Sequence, residues 1–271
     1  MSFYSHGHAP SVLASHGTRR AADSAAYLLP ELSPGVSLLD IGCGPGSITL
    51  DLAETVAPGR VIGMDQSLEA ITSAADAARE RGLPNVIFRI ADVYALPFED
   101  GSFDIVHAHQ VLQHLPDPVA ALREMSRVCT PNGLIAVRDA DYASMAWFPQ
   151  SAGLSRWLEL YRSMARANRG EPDAGRHLKS WARMAGLRDT RVTTSSWSYA
   201  SARATRWWGE SWADRVRASS YGDRALELGL STQPELDGIS AAWEVWSKEP
   251  DAWFAMLHTE ILARPALPTT E

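Results

Sequence analysis

The sequence predicts an α/β protein with an open parallel sheet and helices on both of its faces. Between residues 36 and 139, short β-branched segments alternate with longer helical patterns. Gly and Pro residues separate the segments, as they do at the ends of helices. This alternation is typical of consecutive β–α–β units, because two parallel strands need a crossover between them. With 45% hydrophobic residues, the 271-residue chain can also bury a core.

Five strands and three helices are predicted in this region. The strands cover residues 36–41, 60–65, 85–90, 103–108 and 133–139. The helices cover 47–56, 67–81 and 117–129, and in the last two apolar residues recur at helical spacing. The third helix follows an Asp-Pro pair, which suits a helix N-terminus.

The pattern is less regular outside this region. A helix is predicted over residues 10–30, ending before Pro30. After residue 139 we expect helices over 151–168 and 175–186, a strand over 188–197, a Trp-rich helical region over 203–248 with breaks near Gly222, Gly229 and Pro234, and a closing strand over 252–263.

Composition excludes several classes of protein. No run of 18 apolar residues is present, so we expect no membrane span. The N-terminal segment lacks the apolar stretch of a signal peptide, which predicts a cytoplasmic protein. A net charge of −7 without a basic cluster argues against a nucleic-acid partner. Cys43 and Cys129 lack metal-ligand spacing, so no metal site is predicted.

A glycine-rich turn follows the first predicted strand. Residues 38–46 read LLDIGCGPG, which places Gly42, Gly44 and Gly46 just before a predicted helix. Glycines let the backbone turn sharply and approach a ligand closely, while the N–H groups of the helix face that ligand. In open α/β sheets, ligands bind beyond the C-terminal ends of the strands. The turn therefore predicts a ligand site, and the alternative is a tight turn without a ligand.

Carboxylates follow the next two strands. Asp65 ends the second strand, where a carboxylate can accept hydrogen bonds from both hydroxyls of a ribose. Asp92 comes just after the third strand and could take the amino group of an adenine. The alternative for Asp92 is a turn aspartate that caps nearby backbone N–H groups.

Together these residues resemble the class I S-adenosylmethionine-dependent methyltransferases. The similar segments are DIGCGPG, Asp65, ALPFEDGSFDIV with the following HLPDP, and REMSRVCTPNGLIAV. The last two resemble the ubiquinone/menaquinone-type branch. The resemblance implies a Rossmann-like, seven-stranded, mostly parallel sheet whose last strand is antiparallel and lies beside the fifth, a role that fits 252–263. The rival is a nucleotide-dependent dehydrogenase, whose fingerprint would need a glycine where Ser47 stands.

The resemblance also implies S-adenosylmethionine as the cofactor and assigns residues to it. The glycines would line its methionine part, Asp40 would hold the turn and contact the amino group, Asp65 with Gln66 would take the ribose, and Asp92 with Val93 the adenine. The cofactor-binding residues are predicted to be Asp40, Gly42, Cys43, Gly44, Gly46, Asp65, Gln66, Ala91, Asp92, Val93 and His109.

The reaction predicted from this resemblance is methyl transfer to a small-molecule acceptor at an O, C or N atom. In-line displacement needs mainly alignment of the two reactants and exclusion of water. An acidic acceptor would also gain from a general base. His109, near the end of the fourth strand and on the same face as His107, is the candidate catalytic residue. The alternative is that His109 only packs against the cofactor or bonds to backbone.

Acceptor-binding residues are predicted in the second half of the chain. All ten tryptophans lie at or after Trp147. Asp139 and Tyr142 follow the fifth strand, and Trp207 with Trp208 lie in the Trp-rich helical region, where they would bind an apolar or planar acceptor. The alternative is that the tryptophans only attach helices to the sheet. The arginines of the region could bind an acidic group or lie on solvated helix faces; they are Arg203, Arg206, Arg215 and Arg217.

The predicted organisation is a single methyltransferase domain over residues 1–271. Its parts are an N-terminal helical lid over 1–30, a cofactor-binding core over 31–139, helical cap insertions over 140–174 and 198–250, and the closing strand. A cofactor-binding partner or regulatory module without catalytic activity is the alternative function. The sequence leaves the oligomeric state open.

Overall fold

One mixed sheet of eight strands organises residues 19–266, the part of the chain that this computed structural model describes. The strands are β1 (Leu38–Ile41), β2 (Val61–Asp65), β3 (Val86–Ile90), β4 (Phe103–His109), β5 (Cys129–Ala140), β6 (Ala146–Phe148), β7 (Arg188–Tyr199) and β8 (Trp253–Arg264). From one edge their order is β3-β2-β1-β4-β5-β8, with β7 on the far side of β8 and β6 beside the start of β8.

The strand directions confirm the predicted fold class. Strands β1 to β5 pair in parallel, and β8 is antiparallel to both β5 and β7. All four residues of β1 are buried, because a central parallel strand is covered on both faces; three of them are apolar and the fourth is Asp40. The eighth strand, β6, was not predicted, since three residues are too few to show alternation.

Nine α-helices lie in the described part of the chain. They are α1 (Ala21–Ser24), α2 (Ser47–Val56), α3 (Leu68–Glu80), α4 (Pro118–Val128), α5 (Ala152–Ala167), α6 (Leu178–Met184), α7 (Ala202–Ala218), α8 (Ser220–Glu227) and α9 (Gln233–Trp246). Ser67 and Asp117 cap α3 and α4 with side-chain oxygens, which satisfy an otherwise unpaired N–H of the first turn. Over residues 19–266, every helix falls short of the length and apolar character that a membrane crossing requires.

The prediction of one helix over residues 10–30 was wrong in its described part, and residues 1–18 lie outside the described residues. The structure has only the four-residue α1 and a short 3-10 helix over Leu29–Glu31. The chain bends after α1, which lets the fully buried Ala25 and Leu28 pack on the sheet beside α2. Tertiary packing here outweighs local helix propensity.

The core has one part on the sheet and another among the helices that follow β5. The second part is an aromatic cluster in which α5, α7 and α9 meet, and its fully buried indoles are Trp157, Trp212, Trp243 and Trp246. Phe254 of β8 lies in the same cluster, whereas Ile261 of β8 lies in the sheet core. Strand β8 therefore belongs to both parts.

Candidate active site

A cavity of about 700 Å³ lies at the C-terminal edge of the parallel strands. Its walls come from the glycine-rich turn, the ends of β2 and β4, the segment around α1, and the aromatic helices. The predicted site residues on its wall are Gly42, Gly44, Asp65, Gln66, Ala91, Val93, His109, Tyr142, Trp207 and Trp208. The structure thus brings the predicted cofactor and acceptor residues to one space.

The turn after β1 leaves room for a ligand at Gly44. This glycine has a φ of 53°, in the left-handed region, and a Cβ built on it would meet no protein atom within 4 Å. At Gly46 a Cβ would lie 2.8 Å from the Cβ of Ala74, so this glycine permits close packing of the turn on α3. Gly46 and Cys43 are not on the cavity wall, and the Cys43 sulfur lies over Gly63 of β2.

Asp65 is held in place by backbone amides. Its carboxylate accepts hydrogen bonds from the N–H groups of Gly44 and Ser67, at 2.9 and 3.0 Å. Two carboxylate oxygens offer about four lone-pair sites, so acceptor capacity remains for ligand hydroxyls. The geometry fits the ribose of the cofactor that the resemblance implies.

Ala91 and Val93 line the cavity beyond β3, but Asp92 between them does not. The exposed Asp92 carboxylate accepts a hydrogen bond from the Tyr94 N–H at 3.0 Å, as in the capping alternative. The side chains that face the cavity beside β3 are therefore apolar.

Asp40 lies beneath the glycine-rich turn and not on the cavity wall. One of its carboxylate oxygens accepts a hydrogen bond from the Thr49 hydroxyl at 2.5 Å, and the other lies 2.7 Å from His107 Nδ1. These contacts join β1, α2 and β4, and they support the turn from below. The pairing with His107 was not predicted, although parallel register places the two residues side by side.

His109 is buried on the cavity wall, next to two other rings. Its centroid lies 5.7 Å from that of Trp197 and 6.3 Å from that of His258. Within residues 19–266 neither of its ring nitrogens has a hydrogen-bond partner. Burial, aided by the charge of Arg138, lowers the pKa of His109 well below its usual value. The imidazole is therefore neutral at pH 7, with one nitrogen to donate and one to accept.

Stacked aromatic rings form another part of the cavity wall. Tyr142 is buried and stacks on Tyr161 with ring centroids 4.1 Å apart. Tyr199 of β7 stacks on Trp208 at 4.3 Å and lies 5.9 Å from Trp207. Burial raises the pKa of Tyr142 to about 12, so its phenol is neutral. This wall offers flat, uncharged ring surface.

Asp139 does not line the cavity, contrary to its predicted position beside the acceptor. The side chain is fully buried and accepts a hydrogen bond from the Gln113 N–H at 3.2 Å. Burial raises the pKa of this carboxyl to about 7. Strand β5 continues to Ala140, and its pleat directs Asp139 away from the ligand space.

Several residues of the cavity wall were missed by sequence reasoning. They are Arg19, Gln110, Ser195, Trp197, Tyr199 and Met256. Arg215 also lines the cavity, and it is one of the arginines predicted to bind an acidic group or to lie on a solvated helix face. Gln110 directly follows β4, has a φ of 55° and contacts His258 through their Nε2 atoms at 2.7 Å. Ser195, Trp197 and Tyr199 alternate along β7, but Arg19 and Met256 come from segments far apart in the chain, so no local spacing could have grouped the whole set.

Comparison with known proteins identifies the family. A profile of the family described as "Methyltransferase domain" matches residues 32–192, more than half of the chain. The chain belongs to this family. An uncharacterized methyltransferase of Schizosaccharomyces pombe is 32% identical over 270 residues, which cover 96% of this chain and 95% of the relative.

Two further matches agree with the expected branch and fold of this methyltransferase. A demethylmenaquinone methyltransferase of Lactococcus lactis is 36% identical over 128 residues, covering 47% of this chain and 48% of the relative. The YcgJ protein of Bacillus subtilis superposes with a TM-score of 0.59 at 19% identity, covering 89% of this chain and 97% of that one. The assignment to the class I S-adenosylmethionine-dependent methyltransferases, with their Rossmann-like sheet, is confirmed.

Proposed function

We propose that this methyltransferase transfers the methyl group of S-adenosylmethionine to a small, planar and mostly apolar acceptor. One observation carries the proposal: a single cavity of about 700 Å³ is lined by Gly44 and Asp65 and also by Tyr142, Trp207 and Trp208. A cofactor held at the first group and an acceptor held at the second would share one space.

The cofactor side of the cavity supplies the groups that an adenosyl ligand needs. The turn at Gly44 leaves open space for close backbone approach, and the Asp65 carboxylate is held for the ribose hydroxyls. Ala91 and Val93 form an apolar wall for the adenine. When bound, S-adenosylmethionine supplies an activated methyl group, so the chain contributes mainly alignment and exclusion of water.

The aromatic side suits a flat acceptor. Indole and phenol rings bury a large apolar area and pack against planar ligands with defined geometry. The Lactococcus relative, whose name gives demethylmenaquinone as the molecule it methylates, supports an acceptor of this kind. The reacting atom, whether O, C or N, is left open.

His109 orients the acceptor in this proposal. Its neutral ring lies on the cavity wall, with nitrogens that have no partner among the described residues. The lowered pKa makes the imidazole a weak base, because a buried positive charge near Arg138 is disfavoured. A hydrogen bond that fixes the reacting group therefore suits His109 better than full removal of a proton.

The cofactor assignment is tested by calorimetric titration with S-adenosylhomocysteine. Asp65→Ala removes the carboxylate that would bind the ribose, and we expect the affinity to fall about 10- to 150-fold, since hydrogen bonds to a charged group contribute about 1.5–3 kcal/mol. Asp76→Ala, on the exposed face of α3, is the control and should bind as the wild type does. Wild-type affinity in Asp65→Ala would contradict the cofactor site.

Turnover is tested by release of S-adenosylhomocysteine from S-adenosylmethionine with a panel of planar phenols, quinols and aromatic amines. Cofactor binding without product from any compound of the panel would support the non-catalytic module instead. With an active acceptor, His109→Ala should lower kcat/KM and leave cofactor affinity unchanged. Unchanged kcat/KM would remove His109 from the proposal.

A further inference from the structure

One face of strands β7 and β8 forms part of the cavity wall. Met256 and His258 alternate along β8, and in the antiparallel register Trp197 and Ser195 of β7 lie opposite them. Ser195, Trp197 and Met256 line the cavity. His258 is fully buried, and its ring centroid lies 4.5 Å from that of Trp197. This sheet face thus places an imidazole beside an aromatic residue of the cavity wall.

Gln110 reaches across the sheet to this imidazole. It directly follows β4, and its Nε2 lies 2.7 Å from the Nε2 of His258. Its backbone N–H donates a hydrogen bond to the carbonyl of Arg138 at 2.7 Å. The φ of Gln110 is 55°, which is uncommon for a residue other than glycine and occurs most often at functional sites. Both the backbone and the side chain of Gln110 are therefore held against the sheet.

The contact with His258 decides which end of the Gln110 amide remains available. Burial lowers the pKa of His258 well below its usual value, so the ring is neutral at pH 7. The amide nitrogen can only donate, so the Nε2 of the neutral ring accepts the hydrogen bond. The Gln110 Oε1 has no hydrogen-bond partner within residues 19–266. Because Gln110 lines the cavity, this oxygen can accept a hydrogen bond from a ligand there.

Gln110 also lies next to the candidate catalytic residue and to an aromatic ring. His109 precedes it in the chain, and the centroid of the Trp197 ring lies 5.7 Å from that of His109. An oxygen that stays unpaired against a ligand costs free energy, and a ligand O–H or N–H satisfies it where an ether or a C–H does not. A planar ring that bears a hydroxyl or amine group would satisfy both the amide and the aromatic surface.

We infer that Gln110 determines specificity for an acceptor with a hydroxyl or amine group on a planar ring, because its Oε1 accepts a hydrogen bond from that group. His258 is a positioning residue, which acts through Gln110 by holding its amide. The inference rests on the proposed function, since it names the class of acceptor at the same site. Neither residue takes a proton in this role.

The test compares two planar ligands that differ in whether one oxygen carries a hydrogen. Calorimetric titrations without cofactor use 7-hydroxycoumarin and 7-methoxycoumarin at about pH 6, where both are neutral. We expect the wild type to bind 7-hydroxycoumarin about fivefold more tightly, because the ether leaves the Gln110 oxygen unpaired. Gln110→Met keeps an unbranched side chain and should reduce this ratio to near one. Gln110→Glu keeps an oxygen acceptor and should retain the ratio.

His258→Phe tests the positioning role. It keeps a ring in the sheet but removes the partner of the Gln110 amide, so we expect weaker binding of 7-hydroxycoumarin and unchanged binding of 7-methoxycoumarin. A general loss of structure would weaken both ligands. Adding His258→Phe to Gln110→Met should leave the ratio of Gln110→Met unchanged. Gln233→Met, at the exposed start of α9, is the matched control and should keep the wild-type ratio.

Several outcomes would overturn the inference. They are equal binding of the two ligands by the wild type, tighter binding of the ether, binding of neither, or a preference that persists in Gln110→Met. If Gln110→Met does not fold, the wild-type ratio and His258→Phe still decide. Equal weakening of both ligands in His258→Phe would contradict the positioning role.

The cofactor is separated from the acceptor by a second titration. A loss of S-adenosylhomocysteine affinity in Gln110→Met would assign the amide to the cofactor and contradict the inference. A wild type that does not bind S-adenosylhomocysteine contradicts only the proposed function, because the coumarin ratio is measured without it.

Discussion

The two sides of the cavity are built in different ways. On the cofactor side, the ligand space is formed mainly by backbone turns at the ends of strands. Gly44 and Asp65 of these turns are joined by one hydrogen bond. On the acceptor side, large side chains from α7, β7 and the segment after β5 form the wall. A turn at a sheet edge recurs in many α/β proteins and has a short motif, whereas a wall of side chains has none. The cofactor side therefore carries the sequence motif that identifies the family, whereas acceptor specificity depends on the acceptor side.

The two sides nevertheless share a strand. Phe254, near the start of β8, packs among the tryptophans, and Ile261, near its end, packs in the sheet core. We expect this shared strand to make the two sides one cooperative unit.

Removing one buried indole tests whether the aromatic side unfolds with the sheet. Trp243 is fully buried, with ring centroids 5.0 Å from Trp157 and 5.5 Å from Trp246. Trp243→Ala leaves a large void, so we expect the free energy of unfolding to fall by about 3–5 kcal/mol. Denaturant unfolding followed by circular dichroism and by tryptophan fluorescence should give coincident transitions.

Trp253→Ala is the control for this loss, because the Trp253 side chain is substantially exposed, and its effect should stay under about 1 kcal/mol. Eight of the ten tryptophans lie in or against the aromatic cluster, so fluorescence reports mainly on the aromatic side. A fluorescence transition that precedes the dichroism transition would mean that the two sides unfold separately.

Asp139 lies at the end of β5, where the two sides meet. Its pKa of about 7 in the folded protein exceeds the unfolded value of 3.8. Between these values the folded state keeps a proton that the unfolded state has released, so the stability contributed by Asp139 falls as the pH rises. Asp139→Asn stays neutral, and its stability relative to the wild type should increase by about 2.5 kcal/mol from pH 5 to pH 8.

Urea unfolding at the two pH values measures this change. The wild type and the variant contain the same histidines, whose lowered pKa values make the fold less stable as the pH falls below about 6.5, so that effect cancels in the difference. Asp214→Asn, exposed on α7, should show a difference that does not vary with pH. The same constancy in Asp139→Asn would contradict the raised pKa.

Substituting two glycines with similar backbone angles distinguishes the effect of lost ligand contact from the effect of backbone strain. Gly44 and Gly82 have φ values of 53° and 65°, and a Cβ at either would meet nothing within 4 Å. An alanine at either position costs about 1–2 kcal/mol of stability because it is held in the left-handed region. Only Gly44 lines the cavity, so we expect Gly44→Ala alone to weaken S-adenosylhomocysteine binding, by about tenfold. Equal affinities in calorimetry would place the ligand away from this turn.

Sequence reasoning was most successful where a local signal has one structural meaning. The boundaries of β1 to β4 differ from their predicted positions by at most two residues, because apolar runs end at Gly, Pro and helix-capping residues. It was least successful for side-chain direction after a strand. Asp65, Asp92 and Asp139 are all aspartates at or just after the predicted end of a strand, but only Asp65 lines the cavity. The direction of each carboxylate depends on where its strand ends: Asp139 still lies within β5, and Asp92 lies in the loop after β3.

The sequence by itself thus determined the family, the parallel core and the turn at Gly44, since these depend on contacts between near neighbours and on a recurrent sheet edge. Only the tertiary structure decided which side chains face the acceptor space. Helical spacing shows that Trp208, Trp212 and Arg215 share a face of α7, but not what that face meets. The pairing of β7 with β8, and of β8 with β5, brings Trp197 and Tyr199 to the same cavity. Such contacts join residues that are distant in the chain, so no local pattern records them.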